Sequence, residues 1–142
     1  NCKQPKEWVK LPKFDLIIFA EVLEHLYVHP EYVFKFLKSG LKSGGYLIIQ
    51  TPNAVAIGKR IKMILGLHPY EEIRKGDDPG HFREYTKKEI IKYGKNVGLE
   101  LVMHEYKNYF GVKGFTNLLY ILTSFYPPFR QGQTFIFKKR DY

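Results

Sequence analysis

Two carboxylates and an imidazole arrive within five residues at Glu21-Val22-Leu23-Glu24-His25. Glutamate supplies acceptor oxygens, and histidine is the side chain that exchanges a proton near neutral pH. On a helical turn, positions i, i+3 and i+4 share a face, so the three groups can converge on one ligand. Before them runs Phe14-Asp15-Leu16-Ile17-Ile18-Phe19-Ala20, a nearly unbroken apolar stretch of strand length. Such a stretch predicts a parallel strand covered on both faces. Ligands in open α/β sheets sit just beyond the carboxyl ends of the parallel strands. The junction after Ala20 is therefore the predicted site.

The elements that must position it follow from local pattern. Residues 21–26 read as a short helical turn. His29-Pro30-Glu31 is a helix start, and Val33, Phe34, Leu37 and Leu41 recur at helical spacing, which predicts a helix over 30–41. Gly44-Gly45 closes the connection, and Tyr46-Leu47-Ile48-Ile49-Gln50 is a second buried strand ending in Thr51-Pro52-Asn53. The unit is strand, helix, strand with a right-handed crossover. Residues 54–67 carry Val55, Ile57, Ile61, Ile64 and Leu65 beside Lys59, Arg60 and Lys62. This basic amphipathic helix packs on the core in the commoner outcome and lies on a membrane or anionic ligand in the other. Residues 68–85 form a long loop, of the kind that carries function or is disordered. Thr86-Lys87-Lys88-Glu89 is a capping box, and Gly98 stops the helix it opens. A strand over 99–106 comes next. An apolar insert from Gly114 to Phe125, halted by Pro127-Pro128, either covers the site or packs beneath the sheet, with packing the commoner outcome; it is too short to span a bilayer. Thr134-Phe135-Ile136-Phe137 is a final strand, antiparallel and hairpin-like with its predecessor. The order predicts an α/β fold.

Composition narrows the class. With 142 residues, 44% of them apolar and 16% aromatic, the chain can bury a core. Its one cysteine, Cys2, excludes an intramolecular disulfide and a thiolate zinc cluster and suits a cytoplasmic location. No apolar run reaches transmembrane length and no signal-peptide pattern is visible. The formal charge of +9, from 23 basic and 14 acidic residues, favours anionic partners, although scattered lysines more often make an ordinary solvated surface. Asn1 in first place leads to the expectation of a fragment or a processed product.

Four pieces taken together, FDLIIFAEVLEHL, LKSGGYLIIQTPN, HFREYT with its capped helix, and Val97-Gly98-Leu99, carry a family resemblance. From about Phe14 to Gly98 the chain resembles the C-terminal part of a class I S-adenosylmethionine-dependent methyltransferase, the quinone-biosynthesis O-methyltransferases and small-RNA terminal 2′-O-methyltransferases in particular. The resemblance implies the C-terminal portion of a Rossmann-like sheet, mostly parallel with a closing antiparallel strand. It implies S-adenosylmethionine as cofactor, with Phe19 and Ala20 near its sulfonium side. These enzymes grip the cofactor in a glycine-rich turn that no Gly-x-Gly here supplies. Residues 1–142 are thus expected to be a partial domain that lacks the N-terminal cofactor-binding half. The inserts 54–80 and 107–130 would form a substrate lid.

In the quinone and small-RNA relatives, Glu-x-x-Glu-His with a downstream histidine resembles a divalent-metal site. The matching positions are Glu21, Glu24, His25 and His81, and His81 stands five residues before Thr86. Such a set suits Mn²⁺ or Zn²⁺ and can hold Mg²⁺. Without a metal, the two acids complement a helix start and His25 is the preferred catalytic base. Asn53 either faces substrate or caps the next helix. The reading is methyl transfer to oxygen of an acceptor that is a small molecule, glycan, quinol or RNA. The alternatives are a partner subunit without chemistry of its own and an RNA-modifying enzyme.

Overall fold

The computed structural model describes residues 8–76, 80–109 and 117–140. Cys2, the loop acids Asp77 and Asp78 with Pro79, and the insert's opening Gly114-Phe115-Thr116 lie outside them.

The elements are β1 (Phe14–Ala20), a 3₁₀ turn (Leu23–His25), α1 (Pro30–Gly40), β2 (Leu41–Pro52), α2 (Ile57–Ile64), α3 (Lys87–Asn96), β3 (Leu99–Lys107), α4 (Asn117–Phe125) and β4 (Gly132–Lys139). They build one four-stranded sheet in the order β1-β2-β4-β3. β1 pairs parallel with β2, while β4 runs antiparallel to both β2 and β3. Three strands therefore share a direction and β4 opposes them, inserted between its partners rather than added at the edge.

Local chemistry explains most boundaries. Pro30 opens α1, and His29 Nδ1 accepts from the Glu31 amide at 3.3 Å. Val33, Phe34 and Leu37 then bury the inner face of that helix. The capping box of α3 closes in both directions, with the Thr86 amide donating to Glu89 Oε2 at 2.8 Å and the Glu89 amide donating to Thr86 Oγ1 at 3.4 Å. Gly94 lets α3 lie on the Phe137 ring, because a Cβ there would strike it. Gly44, at φ +69°, turns the chain inside β2, and so the second strand begins five residues earlier than its apolar run suggests.

Phe34, Leu47, Ile49, Ile90, Phe135 and Phe137 form a fully buried core between α1, α3 and one sheet face. Each contributes about 2–3 kcal/mol of burial free energy. The opposite face is bare among the described residues. Leu16 is 48% and Ile18 65% exposed, and Tyr46 of β2 is exposed beside them. This corrects the expectation of cover on both faces: β1 is an edge strand, and a continuous apolar run reads alike whether its second face is covered by this chain or left open.

Candidate active site

The chain leaves β1 sharply. Glu21 adopts φ +53°, the one described non-glycine residue in the left-handed region, a strain of the kind that clusters at functional sites. The helical turn expected over 21–26 is only the 3₁₀ turn Leu23–His25, with Glu21 outside it. Glu21 therefore shares no α-helical face with Glu24 and His25, and tertiary structure does the gathering instead. Ligand atoms of Glu24, His25 and His81 lie within 4.8 Å of one another, though His81 is 56 positions on from His25. Their imidazoles meet edge to face, centroids 4.9 Å apart. Glu21 is not part of that trio but borders the adjoining cavity and interacts with both Glu24 and His81.

Both imidazoles are held in one orientation. His25 Nδ1 donates to the Gly80 carbonyl at 3.0 Å. A carbonyl can only accept, so Nδ1 carries the proton and the Nε2 lone pair is left for chemistry. His81 Nδ1 faces Glu84 Oε1 at 3.2 Å, which selects the same tautomer. Glu84 is itself buried and gripped by Lys59 Nζ. Lys59 also donates to the Asn53 carbonyl at 3.0 Å. Burial first, and Lys62 after it, pulls the Lys59 ammonium down to about 8, against the attraction of Glu71, Glu21 and Glu24. His81 is pushed below its ordinary value by burial and then by His25.

Glu24 is wholly buried. Thr51 Oγ1 donates to its Oε2 at 3.0 Å, and His25 Nε2 stands 4.0 Å from its Oε1. Glu24 Oε1 and Glu21 Oε1 are both buried with no hydrogen-bond partner. Glu21 is raised above the usual carboxylate range, by burial first and then by Glu24. Two neighbouring acids with orphaned oxygens, beside two imidazoles with free Nε2 lone pairs, form a donor set that fits a divalent cation.

A cavity of about 570 Å³ opens beyond the carboxyl ends of β1 and β2. Glu21, Lys59, His81 and Glu84 line it, with Ile57 of α2, Thr123 of α4 and Phe129 forming other parts of the wall. Both inserts thus border one space. α4 is not packed beneath the sheet: Ile121, Leu122 and Phe125 are exposed. α2 buries none of its residues, so the expectation that it packs on the core is also corrected.

Five predicted positions do not border the cavity: Glu24 and His25, which adjoin its lining residue His81, and Phe19, Ala20 and Asn53. Phe19 packs sideways on the core cluster, and Ala20, facing the opposite side of the sheet, pairs with Gln50 of β2. Asn53 is fully buried, with Nδ2 donating to the Pro128 and Arg130 carbonyls, each at 2.9 Å, and Oδ1 accepting from the Val55 amide at 3.2 Å. Its polar atoms are spent on holding the two inserts together, so in this conformation it has none to offer a substrate. Sequence reasoning missed Thr51, Lys59 and Glu84. Glu84 stands three residues after His81, the one local sign of its role; Lys59 and Thr51 pair with acids 25 and 27 positions away and left no such sign.

A family model described as a methyltransferase domain matches residues 1–104. No curated protein matches the chain. Solved structures match over nearly all of it. A SAM-dependent methyltransferase from Archaeoglobus fulgidus is 17% identical with a TM-score of 0.55, covering 92% of this chain and 62% of that one. The N-methyltransferase NodS of Bradyrhizobium japonicum, in complex with S-adenosyl-L-homocysteine, is 14% identical with a TM-score of 0.55, covering 95% and 50%. A Haloferax volcanii complex between the Trm112 methyltransferase activator and a methyltransferase gives 9% identity and a TM-score of 0.61, covering 96% and 59%. At these identities the likeness is one of fold, a Rossmann-like α/β sheet. The chain spans between half and two thirds of the length of each.

Proposed function

The chain belongs to the methyltransferase-domain family whose model spans its residues 1–104, and from that premise we propose that it forms the acceptor side of an S-adenosylmethionine-dependent enzyme that methylates a hydroxyl oxygen. The observation that carries the proposal is the gathering of Glu24, His25 and His81 within 4.8 Å, with His81 on the wall of a cavity beyond β1 and β2. Glu24, His25 and His81, with Glu21 alongside, would hold a divalent cation. A cation there would bind neighbouring acceptor hydroxyls and lower their pKa. The methyl donor, when bound, supplies an electrophilic methyl group on a sulfonium.

The chain's own residues perform the remaining work. His25, its Nδ1 proton committed to Gly80, keeps its Nε2 lone pair free beside His81, which lines the cavity. With no cation bound, that lone pair takes the acceptor's proton. Glu84 keeps His81 in register. The two inserts screen the acceptor from water and orient it, and positioning is the larger contribution in a displacement of this kind.

The described residues form only one wall of a donor site. The family's glycine-rich turn is missing from the sequence, and Phe19 and Ala20 do not border the cavity. The complementing half of the domain would pair with the open edge of β1 and cover Leu16 and Ile18, which the chain leaves bare. The test is transfer of a labelled methyl group by the full polypeptide carrying this chain, offered a catechol, an RNA 3′-terminal ribose and a primary amine. Each reaction is run with Mn²⁺ and with EDTA. Methylation of a diol, lost in EDTA, is the expected result. Methylation of the amine alone overturns the oxygen assignment, and full activity in EDTA overturns the cation. A second reading, a partner subunit without chemistry, draws on the missing Gly-x-Gly; under it Glu24→Gln would leave the stimulated activity untouched.

A further inference from the structure

Residues 62–68, at the end of α2 and just beyond it, are exposed without a break. Among them Met63 is 58%, Ile64 83%, Leu65 67% and Leu67 58% exposed. Scattered apolar side chains on a surface need no explanation, but three in succession at a projecting tip do. Gly66, at φ +72° with open space about it, turns the chain at the end of α2, where its amide donates to the Met63 carbonyl and the Leu67 amide to the Lys62 carbonyl. α4 lies against α2 and adds Ile121, Leu122 and Phe125, the last 83% exposed, with Tyr126 next in the chain. Both helices border the 570 Å³ cavity.

Charge decides what covers this surface. Between residues 57 and 75 there are five basic side chains and two acidic ones. Arg60 and Lys62 stand exposed beside the tip, and the Arg60 guanidinium lies 5.6 Å from the centre of the Phe129 ring. A second copy of the chain would bring the same cations against themselves. The complementing half proposed above would sit at β1, on the sheet edge and its bare face. Aliphatic side chains at a tip, aromatic ones beside them and a collar of Lys and Arg are the pattern of a segment seated in the headgroup region of an anionic bilayer. The α2 helix is far too short to cross one, and no helix among the described residues is long and apolar enough to do so.

We infer that α2 with its 62–68 tip, together with α4, docks this protein on an anionic membrane surface, with the cavity mouth at the lipid boundary. The test is co-sedimentation of the full chain with phosphatidylcholine vesicles containing about a third phosphatidylglycerol, compared with pure phosphatidylcholine, at low and high salt. Binding is expected to the anionic vesicles and to weaken with salt. Replacing Met63, Ile64 and Leu65 together by serine should cut binding by about tenfold or more, since each buries several CH₂ groups in lipid. Lys62→Glu should cut it by about fivefold or more. All four side chains are exposed, and unchanged far-ultraviolet circular dichroism would confirm that the variants fold. Equal sedimentation of the native and triple-serine proteins overturns the inference, as does failure of the native chain to bind anionic vesicles at low salt. Concentration-dependent dimerisation that the triple variant abolishes would assign the patch to a second copy instead.

Discussion

Glu24→Gln separates stability from function at one atom. Glu24 has 0% exposure, and its Oε1 has no hydrogen-bond partner. Leaving a buried polar atom unsatisfied costs about 1–3 kcal/mol, more when it is charged. Glutamine keeps the shape. Its carbonyl can still accept from Thr51 Oγ1, and its new amide can donate toward His25 Nε2, now 4.0 Å from Oε1. In EDTA the variant should therefore be more stable than the native protein by about 1–3 kcal/mol. At about 3–4 °C per kcal/mol for a chain of this size, the melting temperature rises by roughly 3–12 °C. In Mn²⁺ the order changes. A cation present at about a hundred times its dissociation constant stabilises the native chain by about 2.7 kcal/mol, a shift of roughly 8–11 °C that the variant should not show. The assay is thermal denaturation of both proteins in EDTA and in Mn²⁺. A variant that melts lower than native in EDTA, or that keeps the Mn²⁺ shift, would refute the account of an orphaned, cation-seeking carboxylate.

The same geometry sets other outcomes. Glu84→Gln removes the carboxylate that fixes His81 Nδ1 at 3.2 Å and should weaken Mn²⁺ binding by about 10–100-fold; calorimetry that finds unchanged affinity would dismiss Glu84 as an orienting group. His81 is held below its ordinary value by burial first, so the unfolded chain takes up a proton near pH 6.5 that the folded chain refuses. Cation-free stability is therefore full above about pH 6.5 and declines as pH falls toward the folded value. Urea unfolding in EDTA should show that decline, and His81→Gln should flatten it; an equal slope in both proteins rules the assignment out. Gly94→Ala drives a Cβ into the Phe137 ring and should cost about 1–3 kcal/mol. Gly58→Ala, in α2 with nothing within 4 Å, should instead gain about 0.5–1 kcal/mol. Calorimetric scans giving both the same sign would contradict the packing described.

What was legible in the sequence was what short-range chemistry writes there. β1, α1, the capping box at Thr86 and the stop at Gly98 arise from periodicity, proline placement and hydrogen-bonding partners a few residues apart. That Glu24, His25 and His81 lie together was foreseen only through the family resemblance, since the helical face expected to join Glu21 with Glu24 and His25 does not form. The left-handed turn at Glu21 was not legible, because nothing nearby demands it: the pairing of β1 with β2 carries the strand up to Ala20, and the buried Leu23 and Glu24 anchor the chain on the other side. The insertion of β4 between β2 and β3 was equally hidden, since antiparallel pairing to one neighbour looks the same as pairing to two. The bare second face of β1 and the undocked α2 belong to the same class. Sequence shows that a side chain is apolar, not what arrives to cover it.

Asn53 has a consequence for how such a protein can diversify. One side chain pins the start of the first insert and the end of the second to the same sheet position, through Val55 on one side and Pro128 and Arg130 on the other. The exposed stretch of the first insert, residues 62–68, and the exposed part of α4 can lengthen, shorten or change character while Glu24, His25 and His81 stay in place. Selectivity for a new acceptor can then evolve as an upholstery change on a frame that never has to be rebuilt.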